Sequence, residues 1–295
     1  MASIAQLPLE TPALGASLWT AARRRLFSHP LMILCATVLA TIIVTSLAAP
    51  WIAPYSYDAI DLKLGAVAPS AAHWFGTDAL GRDLLSRCLY GGQISIAVGI
   101  VGTLVSLLVG VLYGAIAGYR GGRVDELLMR FVDLLYSLPY LFLVIILLVF
   151  FSSSIIMLFV ALGLVQWLTM ARIVRGQVLS LKNTEFVQAA RLAGTSNLGI
   201  VFRHLLPNMV GPIMVYATLT VPSVILQEAF LSFLGLGVQP PRSSWGTLIS
   251  DGAGVMGLFP WLVAFPALIL AAALFSLNFL GDGLRDALDP RLHRQ

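Results

Sequence analysis

Apolar and polar residues alternate along this chain in long blocks. Apolar runs cover residues 31–51, 94–118, 131–151, 155–172, 209–231 and 259–281. Each is close to the roughly 17–25 residues that a helix needs to cross a bilayer. Lipid offers the backbone no hydrogen-bond partners, so such runs must close their own bonds as helices. The pattern predicts an all-α polytopic membrane protein with six transmembrane helices. The fourth run is the weakest, being short and holding Gln166 and Trp167. A polar, helix-compatible block, Glu185–Asn208 (EFVQAARLAGTSNLGIVFRHLLPN), separates the fourth run from the fifth. A membrane protein that keeps such a block between two spans is expected to use it to touch something soluble.

Composition sharpens the class. The 295 residues are 58% hydrophobic and 11% charged, against about 25% charged in soluble domains. The surplus apolar surface must face lipid. A net charge of +4, with no basic block longer than Arg23-Arg24-Arg25, gives no reason to expect nucleic acid. Cys35 and Cys88 form no CxxC pair. The first run exceeds the 7–15 apolar residues of a typical signal peptide and is expected to stay as an uncleaved span.

The basic residues set an expected orientation. With the N-terminus inside, the outer side holds only Lys63, Arg82, Arg87 and Arg242. All other Lys and Arg fall on the inner side, which places both termini and residues 173–208 in the cytoplasm. Residues 1–30 then form a cytoplasmic segment and 31–295 a transmembrane domain, with outer loops at 52–93 and 235–258.

Several chemistries are missing from the sequence. A P-loop needs Lys after Gly, but Lys63 and Lys182 each follow Leu. His29, His73, His204 and His293 include no i, i+4 pair for a metal. No catalytic residue and no metal site is expected. Two acids lie within the apolar runs. Asp133 pairs with Arg130 at i, i+3, or serves in gating. Glu228 faces the membrane interface, or lines a translocation path.

Within the polar block, Thr184 is a plausible N-cap and Glu185 lies in the first turn. Phe186, Val187, Ala190 and Ala193 recur at helical spacing. Ala189 and Ala190 allow close approach of another surface, and Gly194 ends the helix. Leu198–Leu206 forms a second helical stretch, and Pro207 starts the fifth span.

Ala189-Ala190, three residues and Gly194, then Leu206-Pro207 twelve residues on, resembles the "EAA" signature of bacterial ABC importer permeases. Where that signature has Glu, this chain has Gln188. Further stretches widen the resemblance: WFGTDALGRDLLSR (74–87), GYRGGRVDELLMRFVD (118–133), ARIVRGQVLSLK (171–182), LSFLGLGVQPPRSSWGTLISDG (231–252) and GDGLRDALDP (281–290). Together they look like the C-type inner-membrane permease subunit of dipeptide, oligopeptide and nickel ABC importers.

That resemblance implies that Glu185, Gln188, Ala189, Ala190, Gly194 and Pro207 couple the chain to a cytoplasmic ATPase. It implies a homologous B-type permease partner, two ABC ATPases that carry ATP and Mg, and a periplasmic or lipid-anchored binding protein. The chain itself binds no cofactor. Trp74, Phe75, Asp78, Arg82 and Trp245 are expected either to meet the binding protein or to pack within the outer loops. Asp282, Arg285, Asp286 and Asp289 suggest a salt-bridged helix end that Pro290 terminates. The expected function is import of short peptides across the bacterial inner membrane. The alternatives are nickel or another small solute on the same scaffold, or a stand-alone secondary transporter.

Overall fold

A computed structural model describes residues 29–150 and 154–288. Arg23-Arg24-Arg25, Asp289 and Pro290 lie outside the described residues. The helices are α1 (Pro30–Leu47), α2 (Ala49–Ile52), α3 (Leu84–Arg120), α4 (Gly122–Ser137), α5 (Tyr140–Phe150), α6 (Ile155–Leu181) and α7 (Glu185–Leu192), followed by α8 (Leu206–Phe233), α9 (Trp245–Ala253) and α10 (Trp261–Leu288). A single turn, Asn197–Gly199, and a π-helix, Ile200–Leu205, precede α8. Among the described residues, five helical stretches are long and apolar enough to cross a membrane, or six if the bent α4–α5 pair is one span.

The central packing is α3 against α6. Gly102, Ser106, Gly110, Gly114 and Gly118 recur every fourth residue and are all buried. A Cβ on Gly114 would lie 2.3 Å from the Ala171 carbonyl oxygen, and one on Gly110 2.6 Å from the Met170 Cβ. Small residues thus let two backbones approach, the usual way helices associate where lipid removes the hydrophobic drive. The opposite face of α3 carries Ile100, Leu104, Leu108, Leu112 and Ile116, all exposed.

Three expected boundaries change. Residues 84–93, read as loop, begin α3. Asp83 caps that helix, its carboxylate accepting from the Ser86 N–H at 2.8 Å. The fourth helix runs to Leu181, past the apolar part, because polar Arg172, Arg175 and Gln177 continue it. The third run is not one straight helix: α4 and α5 are bent by 90°. Pro139 follows Leu138, which is extended at φ −87° and ψ 136°. A residue before proline avoids the helical region, so the helix breaks there.

The loop between α2 and α3 is firmly built. Gly81, at φ +73°, lies so close to Asp61 that a Cβ would sit 2.0 Å from its carbonyl oxygen. Tyr55 stacks on His73 at 4.7 Å, and His73 Nδ1 lies 2.9 Å from Asp83. The loop after α8 holds α9, which starts with a capping box: Ser244 and Thr247 bond each other's backbone N–H.

Candidate functional site

The polar block forms a short helix rigidly seated on its own chain. Thr184 occupies the N-cap position, but its hydroxyl donates to the Leu181 carbonyl at 2.6 Å instead of capping. Val187 is fully buried and Ala190 nearly so. Val187 belongs to a core with Ala115 of α3, Met170, Val174 and Val178 of α6, and Ile200 and Leu205 of the π-helix. Ala190 therefore faces inward, contrary to its expected place at another protein's surface; only Ala189 of the pair is exposed. Buried Val187 and Ala190 lie three residues apart and fix which side of α7 is covered. The uncovered side shows Glu185, Gln188, Ala189 and Leu192.

Leu192 is 91% exposed. Sequence reading missed it, although its place four residues after Gln188 puts it on the same face. The Gln188 amide donates to the Asn183 carbonyl at 3.0 Å. An ionised glutamate could not donate that bond.

The exit from α7 is a Schellman motif. The Gly194 N–H donates to the Arg191 carbonyl at 3.0 Å, and the Thr195 N–H to the Ala190 carbonyl at 3.1 Å. Gly194 has φ +80°. Ser196 then caps the next turn through the Gly199 N–H. From Asn197 to Phe233 the chain is one helical stretch of 37 residues. Pro207 lies in the first turn of α8. Its ring removes the N–H that would reach back to Arg203, and the wider π-turn sits at that point. α7 is thus joined to α8 through one capped turn and a continuous rod.

Ion pairs brace the same end. Arg175 of α6 grips Asp125 of α4 with two bonds, of 2.5 and 2.7 Å. Asp133 pairs with Arg172 of α6 at 2.6 Å, not with Arg130. Arg130 instead pairs with Glu126 at i, i+4, the better aligned spacing on a helix.

At the other end, four of the five residues expected at a binding protein are used inside the chain. Asp78 accepts from Arg82 Nε at 2.7 Å and Arg87 Nη1 at 2.6 Å. Phe75 stacks on Phe265 at 4.2 Å. Trp245 is fully buried, its indole N–H donating to the Cys88 carbonyl at 3.0 Å. Trp74 alone of the five is strongly exposed, at 68%. Partial burial pushes the Asp251 carboxyl up, while Arg87 and Arg82 pull it back. Glu228 faces neither interface nor open path: it is fully buried and accepts from Ser232 at 2.8 Å and Ser244 at 2.6 Å, joining α8 to α9. Arg87, Ser232 and Ser244 were not singled out from the sequence; Ser232 lies one helical turn from Glu228, but Arg87 and Ser244 reach partners nine and sixteen residues away, which no helical spacing announces.

Comparisons with known proteins agree with this layout. Residues 110–294 match the family model described as a binding-protein-dependent transport system inner membrane component. Residues 17–69 match the N-terminal TM domain of oligopeptide transport permease C. The chain is 51% identical to the oligopeptide transport system permease protein OppC of Haemophilus influenzae, over 94% of this chain and 90% of the relative. It is 52% identical to OppC of Escherichia coli K12, over 94% and 92%. It is 45% identical to the dipeptide transport system permease protein DppC of Bacillus subtilis, over 92% and 85%. Among solved structures, a chain of the inward-facing MetNI methionine ABC transporter superposes with a TM-score of 0.56 at 19% identity, covering 70% of this chain and 96% of that one. That likeness bears on the fold. The chain therefore belongs to the family of binding-protein-dependent transport system inner membrane components, as a multi-pass protein of the inner membrane.

Proposed function

We propose that the chain is the transmembrane subunit of an ATP-driven importer of di- and oligopeptides, forming half of its translocation path. It pairs with a homologous B-type permease. Two ABC ATPases, which bind ATP and Mg, dock on the cytoplasmic side, where both termini and residues 185–208 lie. A periplasmic or lipid-anchored binding protein delivers cargo on the other side. The chain supplies a path and a coupling element, and hydrolysis belongs to the ATPases.

One observation carries this reading. α7 is fastened on one face by Val187 and Ala190, while its other face, with Glu185, Gln188, Ala189 and Leu192, is uncovered. An exposed leucine beside an alanine and two polar groups suits a groove on a soluble partner. Motion of α7 passes through the Gly194 turn and the Asn197–Phe233 rod into a span. The bundle then alternates between two states whose populations the ATPases shift. The peptide class rests on the relatives named for oligopeptide and dipeptide transport.

The test is reconstitution in liposomes. Uptake of a labelled peptide should require ATP, both ATPases, the second permease and the binding protein. Uptake by this chain alone would sink the proposal.

A further inference from the structure

A groove of about 640 Å³ runs between the end of α3 and the segment that follows α7. It borders the coupling path described above, since Arg191 of α7 and Asn197, Val201 and Phe202 of the rod line it. Its walls are apolar, with Leu112 and Ile116 on one side and Val201, Phe202 and Leu206 on the other. Arg120, the last residue of α3, and Arg191, whose guanidinium lies 5.7 Å from the Tyr119 ring, stand at one end. No carboxylate lines the groove. Neither arginine enters the ion pairs that brace α4 and α6. The Tyr119 hydroxyl donates to Asn197 at 2.8 Å and ties the two walls at that same end.

The groove continues the exposed stripe of α3, which runs from Ile100 through Leu104 and Leu108 to Leu112 and Ile116. In a membrane that stripe meets acyl chains. From Leu112 to Arg120 the helix rises about 12 Å, close to the ~15 Å depth of one hydrocarbon leaflet. The cations thus stand one leaflet's depth from the inner end of the apolar slot. A tyrosine beside them suits the headgroup level, where such amphipathic rings collect.

We propose that this groove holds one anionic phospholipid. Its acyl chain lies along Leu112, Ile116 and Phe202, and its phosphate sits between Arg120 and Arg191. Because Arg191 is on α7 and Arg120 on α3, an occupied site clasps the coupling helix to the bundle. The site does not depend on which solute is carried.

Native mass spectrometry of the assembled complex tests this, with phosphatidylglycerol and phosphatidylcholine of identical acyl chains as probes. Each arginine near an anionic surface is worth roughly fivefold in affinity, so the wild type should prefer phosphatidylglycerol by about tenfold or more. R120Q/R191Q should bind the two lipids alike, and R120K/R191K should keep the preference. Both arginines are exposed, so these variants should still assemble. An unchanged preference in R120Q/R191Q would overturn the proposal. So would an efficient disulfide between Ile116→Cys and the second permease subunit, because a protein helix would then occupy the groove.

Discussion

Replacing Gly194 asks whether α7 depends on its left-handed exit. A Cβ at this position would meet nothing within 4 Å, so any loss comes from the backbone and not from crowding. An ordinary L-residue held in the left-handed region costs about 1–2 kcal/mol, and Asn less. α7 has eight residues, below the ~12–15 at which isolated helices become marginally stable. Its own chain holds it chiefly by burying Val187, worth about 1.5–3 kcal/mol, and the Ala190 methyl, worth about 0.8 kcal/mol. Losing 1–2 kcal/mol removes from about a quarter to most of that hold and raises the frayed fraction roughly 5–30-fold. Gly194→Val should therefore speed hydrogen exchange at the Gly194 and Thr195 amides. In reconstituted complexes it should lower peptide uptake per ATP hydrolysed. Gly194→Asn should fall between Val and wild type on both readouts. Equal losses for Asn and Val, or unchanged exchange in Gly194→Val, would refute a backbone cause.

Other contacts separate equally cleanly. Asp78→Ala leaves Arg87, which is only 4% exposed, with just the longer pair to Asp251 at 3.8 Å. Removing one partner of a buried pair costs about 3–5 kcal/mol, so thermal unfolding in detergent should drop sharply. Asp133→Ala breaks an exposed pair and should cost no more than ~1 kcal/mol by the same measurement. Gly114→Leu should force α3 and α6 apart and lose at least ~1–3 kcal/mol of stability, while Gly176→Ala, with open space around it, should be neutral or slightly stabilising. Leu192→Glu should leave the unfolding temperature unchanged yet abolish co-purification with the ATPases; retained co-purification would exclude the outer face of α7 as the docking surface.

Much of the membrane architecture was legible because it is local. An apolar run of about 20 residues in lipid has one backbone solution, and six such runs foretold the helices. Gly194 was legible as a helix end because left-handed exits favour glycine. The break at Leu138-Pro139 carried its signal too, but continuous hydropathy on both sides masked it. The residues that join helices were not legible. Asp133 has an arginine three residues before it, yet takes one from another helix because α4 lies along α6. Glu228 could be placed near a span end, but its serine partner Ser244 arrives from a loop sixteen residues later.

By itself the sequence determined that the chain crosses a membrane repeatedly, that residues 185–208 are a polar interruption, and that Gly194 closes a short helix. Each follows from composition or turn chemistry within a few residues. Tertiary structure decided direction. α3 is apolar all round, so hydropathy cannot tell its glycine face from its leucine face; only the seat of α6 makes one side core and leaves the other uncovered. α7 likewise has small and apolar residues on both sides. Val187 is buried against the π-helix core and Ala190 is buried on the same side, which leaves Leu192 and Ala189 uncovered. A helix's sequence fixes which residues share a face, but which face is covered depends on elements that lie far away along the chain.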